Sequence, residues 1–327
     1  MDLLQSLGLS YPVVQAGMGG GVAGGELAGA VSAAGGLGTV GITDPHSFAA
    51  DLRRAKAVAG KHPVAANLLV PFARQAHIDA CISSGVALVV FHDGFPQRWI
   101  GQMRDAGIRV FCSAGSAVHA RRALAAGADG LVAQGVEAGG HLVAERPLAV
   151  TLPEVLDAAD GAPVLAAGGV ADADDVRALL AAGAAGAVAG TRFLLTEESR
   201  AHPDYKTRVL HAERTLRTLV FGMGWPLPHR VIPNAITDRW CRHNDLGPLA
   251  VRGFNRLGAP LGRLLPMSAL DTIVALQHTA VPLYTPALPL VGMDAAMVDR
   301  SALYAGETIH RIHDIIPAAE AVARLAP

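Results

Sequence analysis

Residues 163–194 read PVLAAGGVADADDVRALLAAGAAGAVAGTRFL, and their order decides the fold. An apolar run, Pro163–Ala167, stops at the pair Gly168-Gly169. An Ala-rich amphipathic stretch, Ala173–Ala182, stops at Gly183, a helix-ending residue. A second apolar run, Gly186–Ala189, then ends in Gly190-Thr191. Strand, glycine turn, helix, glycine, strand is the unit. Its strands are continuously apolar rather than alternating, as expected when both faces of a parallel sheet are covered.

The same beat extends back to the start of the chain. Apolar runs fall at Pro12–Gln15, Gly38–Ile42, Pro63–Leu69, Ala87–His92, Arg109–Ser113 and Gly130–Gln134, ahead of the two already quoted. Helical stretches such as Gly25–Ala34, His46–Ala59 and Ser116–Ala126 lie between them. Eight such units by residue 190 are what an α/β chain needs for a (β/α)8 TIM barrel. An open doubly wound sheet is the competing reading. Gly19, Gly21 and Gly24 satisfy G-x-G-x-x-G, with Asp44 some twenty residues on. A segment this rich in glycine matches that pattern easily, and a dinucleotide fold leaves the glycines at 168–169 and 190 without a role. The barrel ranks first. After Phe193 the beat stops, and from His202 to Leu290 the chain is richer in Arg, His, Trp and Pro. The segment reads as a smaller, mostly helical accessory domain, and Ser301–Leu325 as helical again, packing back on the barrel. The organisation expected is a barrel of residues 1–200 and 295–327, with 201–294 as a substrate or lid domain.

Composition limits the function. At 327 residues, 51% hydrophobic and 17% charged, the chain has ample material for a core. A net charge of −1 with no block of Lys or Arg argues against nucleic acid and anionic membrane as partners. No basic segment leads into an apolar one at the N-terminus, and no run of about 18 apolar residues occurs. The cysteines, Cys81, Cys112 and Cys241, are scattered and odd in number, which fits a reducing compartment and no metal spacing. A cytoplasmic protein acting on a small molecule is expected; a homodimer is allowed.

In a barrel the ends of the strands that feed the βα loops form the active site. There the first run is followed by GMGGGVAGG (Gly17–Gly25), the seventh by Gly168-Gly169 and the eighth by Gly190-Thr191. Glycine lets a backbone N–H approach an anion closely, and turns after the last two barrel strands commonly hold phosphate. The sixth run opens into QGVEAGGH, where Gly139 and Gly140 precede His141 and Gln134 closes the strand. An imidazole on that rim can accept or donate a proton, or fix an anion. His92, in FHDGFP at the end of the fourth run, is a second rim histidine. No His/Asp/Glu constellation suggests a metal.

QGVEAGGH (134–141), Gln15-Ala16-Gly17-Met18, Asn67, AAGGVAD (166–172), GTRFL (190–194) and a late YAGE (304–307) resemble the nitronate monooxygenase family, formerly 2-nitropropane dioxygenases. The signature is shared with FMN-dependent enoyl-acyl-carrier-protein reductases and NADH:quinone reductases. The resemblance implies FMN in the barrel under a helical substrate domain. It implies that Asn67, Gln134 and Gly139 contact the flavin, and that Gly168, Gly169, Gly190 and Thr191 hold its phosphate. Backbone at Gly17 and Met18 would line the ring system. His141 matches the catalytic histidine, and His92 the position of a second active-site histidine. The activity implied is oxidation of alkyl nitronates with O2 to a carbonyl compound and nitrite. The alternative is an NAD(P)H-dependent FMN reductase acting on an enoyl thioester or quinone. QAGM in place of QAPM, Val143 in place of a small residue, and Glu307 in place of Gln depart from the family pattern and bear on the substrate.

Overall fold

The computed structural model describes residues 6–262 and 276–327, and these form two compact units. One comprises residues 1–137, 143–199 and 314–327; the other comprises 138–142 and 200–313. Residues 295–313, assigned to the barrel on sequence, thus fall in the second unit.

The first unit is a barrel. Its strands are β1 (Val13–Gln15), β2 (Gly38–Gly41), β3 (Val64–Leu69), β4 (Leu88–His92), β5 (Arg109–Ala114) and β6 (Gly130–Gln134). Past a short strand β7 (Gly140–His141), which belongs to the other unit, come β8 (Val164–Ala167) and β9 (Gly186–Ala189). All eight barrel strands pair in parallel in the order β1-β9-β8-β6-β5-β4-β3-β2. Closure comes from Leu37, just before β2. Its N–H donates to Val13 O at 2.9 Å, and its carbonyl accepts from Gln15 N at 3.0 Å.

The continuous apolar runs have a two-residue alternation that hydropathy cannot reveal. Val14, Leu37, Ala65, Leu88, Val90, Phe111, Val132 and Leu165 pack together inside the barrel. Their neighbours Val64, Val89, Val110, Leu131 and Val164 pack outward with helix residues such as Phe48, Leu52 and Ile100. Both sets are buried, so alternation exists in direction but not in polarity. Helix Ala318–Leu325 completes the outer layer: Ala321, Val322 and Leu325 share a cluster with Leu27, Val31, Val176 and Phe193. The helical reading of Ser301–Leu325 holds for this last part and, as a 3-10 helix, for Glu307–Arg311. Pro317 opens the helix, while Ile316 still bridges in parallel to Thr196.

The second unit is not helical alone. Helices Pro203–Leu210, Ala235–Trp240 and Leu249–Gly262 accompany a three-stranded antiparallel sheet of β10 (Leu216–Thr218), β11 (His229–Val231) and β7. Leu216, Phe221, Val231, Ile236 and Tyr284 form its core. The part of the accessory reading on 263–275 lies outside the described residues. No helix among the described residues is long and apolar enough to cross a membrane.

Candidate active site

The inward direction set by Ala65, Val90, Phe111, Val132 and Leu165 carries on, two residues at a time, to Asn67, His92, Ser113, Gln134 and Ala167. Polar side chains thus succeed apolar ones at the carboxyl end of the barrel interior. Asn67 is 8% exposed and Nδ2 donates to Val90 O at 3.4 Å. His92 Nδ1 lies 3.0 Å from Ser113 Oγ. Gln134 Oε1 accepts from Val143 N at 2.8 Å and so ties the end of β6 to the far side of its own loop. That bond places Val143 by its backbone, leaving the choice of side chain there to other contacts.

Gly17 and Asn67 are brought together. A Cβ at Gly17 would stand 2.1 Å from Asn67 Cβ and 3.0 Å from Thr39 Cγ2, so only glycine lets the β1 turn close over β2 and β3. Met18 continues that turn, its carbonyl accepting from Ala23 N at 3.1 Å. Thr39 sits on the same inward layer, and its buried Oγ1 has no hydrogen-bond partner among the described residues. Sequence reading passed over Thr39 and Ser113. Counting the two-residue direction back from the apolar layer would have found both.

Beyond β8, Gly168 and Gly169 take φ +124° and +76°, a backbone that L side chains rarely adopt. A Cβ at Gly169 would meet only Glu137 Cγ at 3.8 Å, and one at Gly190 only Ala16 Cβ at 3.7 Å. No other described atom outside the adjoining residues comes within 4 Å of either added Cβ. Both Glu137 carboxylate oxygens accept from Leu148 N, at 2.9 and 3.1 Å. Thr191 begins the short helix Thr191–Leu194. Arg192 is spoken for, bonding Asp314 Oδ1 at 2.6 Å and Leu195 O at 2.7 Å.

Gly139 and His141 lie in the second unit. A Cβ at Gly139 would stand 2.6 Å from Ala305 C and Gly306 N, so packing against the YAGE stretch already demands glycine. His141 is 8% exposed and stacks on Trp225, ring centroids 3.6 Å apart and 12° from parallel. In the β7–β11 register it stands opposite His229, at 4.8 Å between rings, and Tyr304 is 5.5 Å away. Arg230, the next residue of β11, bonds Glu307 at 2.9 Å, which gives the departure at Glu307 a structural partner. Tyr304 opens the YAGE motif, while Trp225 and His229 were not singled out as site residues in the sequence.

His229 is fully buried, and burial pushes its imidazole down to about 4. Its ring nitrogens are both engaged, Nδ1 with Leu227 O at 3.0 Å and Nε2 accepting from Phe221 N at 3.3 Å. This ring stays neutral near pH 7, so a proton arriving on His141 meets no like charge from it. A stability consequence follows. Below about pH 6.5 the unfolded chain takes up a proton that the folded chain refuses until about pH 4. Folding stability should therefore fall by about 3 kcal/mol as pH drops through that window. Urea unfolding followed across pH should show this slope, and His229→Gln should flatten it; an unchanged slope would refute the burial effect.

A closed parallel barrel with polar side chains and glycine turns gathered at its carboxyl end places a candidate active site where (β/α)8-barrel enzymes carry theirs. A model described as nitronate monooxygenase matches residues 2–81 and 72–327, and the chain belongs to that family. Among curated relatives, a (3aS,4S,5R,7aS)-5-hydroxy-7a-methyl-1-oxo-octahydro-1H-indene-4-carboxyl-CoA dehydrogenase of Mycobacterium tuberculosis is 39% identical over 72% of this chain and 67% of its own length. The protein of that name from Rhodococcus jostii is 39% identical over 70% of this chain and 65% of its own. Nitronate monooxygenase npaC of Metarhizium robertsii is 34% identical over 68% of this chain and 71% of its own. The chain thus spans about two thirds of these relatives. Among solved structures, nitroalkane oxidase from Streptomyces ansochromogenes aligns with TM-score 0.78 at 29% identity, covering 99% of this chain and 96% of that one. FabK from Thermotoga maritima aligns at 0.77 and 25%, covering 99% and 94%.

Proposed function

We propose that this protein binds FMN and oxidises a carbon acid, a substrate whose C–H bond is weakened by an adjacent electron-withdrawing group. The observation that carries the cofactor is the pair of glycine turns after β8 and β9: Gly168 and Gly169 take positive φ, and an added Cβ at Gly169 or Gly190 would have a single neighbour within 4 Å. Gly168, Gly169, Gly190 and Thr191 would hold the phosphate through N–H groups and hydroxyl. Gly17, Met18, Asn67 and Gln134 would contact the ring system, the unpartnered Thr39 hydroxyl beside Gly17 and Asn67 fitting a polar ligand edge. Bound FMN supplies the electron-pair acceptor.

His141 would take the proton from the substrate carbon. The stack on Trp225 fixes its ring plane, and neutral His229 leaves it free to become charged. His92, oriented by Ser113, would hydrogen-bond the electron-withdrawing group. Two substrate classes share this chemistry: a nitroalkane or its nitronate, giving a carbonyl compound and nitrite with O2, and an acyl thioester of coenzyme A. Family membership favours the first. Relatives 39% identical over 70% or more of the chain, named as carboxyl-CoA dehydrogenases, favour the second, and we place it ahead.

Stopped-flow mixing of oxidised enzyme with each donor under anaerobic conditions decides the matter. An acyl-CoA thioester should bleach the flavin band, with an alkyl nitronate the second candidate and NADH or NADPH slow. Fast bleaching by NAD(P)H alone would replace oxidation by the reductase reading. The absence of any flavin would sink the proposal.

A further inference from the structure

The second unit carries a cavity of about 430 Å³ lined by Asp238, Arg239, Arg242 and His243. Several arginines of this near-neutral chain are bonded to carboxylates, as Arg54, Arg146, Arg177, Arg208, Arg230 and Arg324 are. Arg239 and Arg242 are exposed, and neither pairs with a carboxylate among the described residues. Two unneutralised guanidinium groups and an imidazole around one hollow, with a single acid, make a site for a polyanion.

The hollow is built on a fixed base. Asn234 caps helix Ala235–Trp240, its Oδ1 accepting from Ile236 N and Thr237 N and its Nδ2 donating to Ser301 O at 2.7 Å. Trp240 Nε1 donates to Tyr284 Oη at 2.8 Å and Thr279 O at 3.0 Å, and the Arg239 guanidinium lies 5.6 Å over the Trp240 ring. Arg239 is thereby held from below with its outer face open to a ligand.

The same unit links this hollow to His141. Ring steps of 4.8, 5.9 and 5.8 Å lead from His141 through His229 and Phe221 to Tyr284, whose hydroxyl receives Trp240. The candidate catalytic histidine and the base of the basic hollow thus belong to one packed core.

We propose that Arg239, Arg242 and His243 bind the phosphates of the nucleotide end of a coenzyme A thioester. The proposal rests on the acyl-thioester reading above and adds the residues that would recognise the carrier.

Calorimetric titration of the flavin-loaded protein with coenzyme A, 3′-dephospho-coenzyme A and pantetheine tests it. Coenzyme A should bind the wild type at least about tenfold more tightly than R239E/R242E, with R239K/R242K between them. Dephospho-coenzyme A should lose part of the advantage, and pantetheine should bind both proteins alike. Flavin content and melting temperature report that the charge-reversed protein is folded. Equal binding of coenzyme A by wild type and R239E/R242E would overturn the site. If an acyl-CoA still bleached the flavin, the substrate reading would survive and the carrier would be held elsewhere. Failure of coenzyme A to bind at all overturns the site, and failure to bleach then removes the thioester reading with it.

Discussion

Gly169→Asp should yield a folded protein that purifies without flavin. Residue 169 has φ +76°, so any L side chain is strained there, and its Cβ would project toward space where only Glu137 Cγ approaches, at 3.8 Å. An aspartate adds a negative charge to the backbone assigned to the phosphate, next to a carboxylate already present at Glu137. The strain on that backbone and the added repulsion both weaken binding of an anion. Gly169→Ala separates the causes, since it keeps the strain without the charge. It should retain partial flavin, measured by absorbance after gel filtration in excess FMN. Full flavin content in Gly169→Asp would mean that the turns after β8 and β9 do not form the phosphate site.

His141→Gln should lower turnover by about a hundred- to ten-thousand-fold, the usual worth of a general acid–base group, while flavin content stays normal. Glutamine is preferable to alanine here. The imidazole is stacked on Trp225 and flanked by His229 and Tyr304, and an alanine would leave a void among those rings. Alanine should therefore cost stability as well as activity, whereas glutamine fills most of the space and cannot accept the proton. A pre-formed nitronate needs no deprotonation, so His141→Gln should be hit harder with neutral nitroalkane than with nitronate, compared as kcat ratios. Wild-type turnover in His141→Gln with a neutral carbon acid would show that the histidine serves packing only.

Much of the barrel could be read from residue order. The eight apolar runs lie within a residue or so of the observed strands, because a strand buried on both faces must be apolar throughout and Gly or polar turn residues must bound it. Glycine turns at 168–169 and 190 could be placed at the carboxyl end for the same reason. The G-x-G-x-x-G match gave way to barrel closure, which depends on Leu37 bonding to Val13 and Gln15, a pairing between runs that hydropathy does not encode.

The inward direction of each strand was also hidden. When both faces are apolar the two-residue period leaves no trace, so Thr39 and Ser113 went unnoticed although they share the layer of Asn67, His92 and Gln134. The QGVEAGGH segment shows the same limit more sharply. Composition marked its glycines as a place where backbone comes close to something. Only the tertiary structure shows that at Gly139 the something is the backbone of Ala305 and Gly306, and that 140–141 forms a strand edge beside His229 and Arg230. The surroundings of His141 come from residues between Trp225 and Tyr304, distant in sequence and in a region with no repeating pattern. Local sequence determines local conformation and burial; which side chains meet across long loops is decided by packing of the whole unit, and there the candidate site took its chemistry.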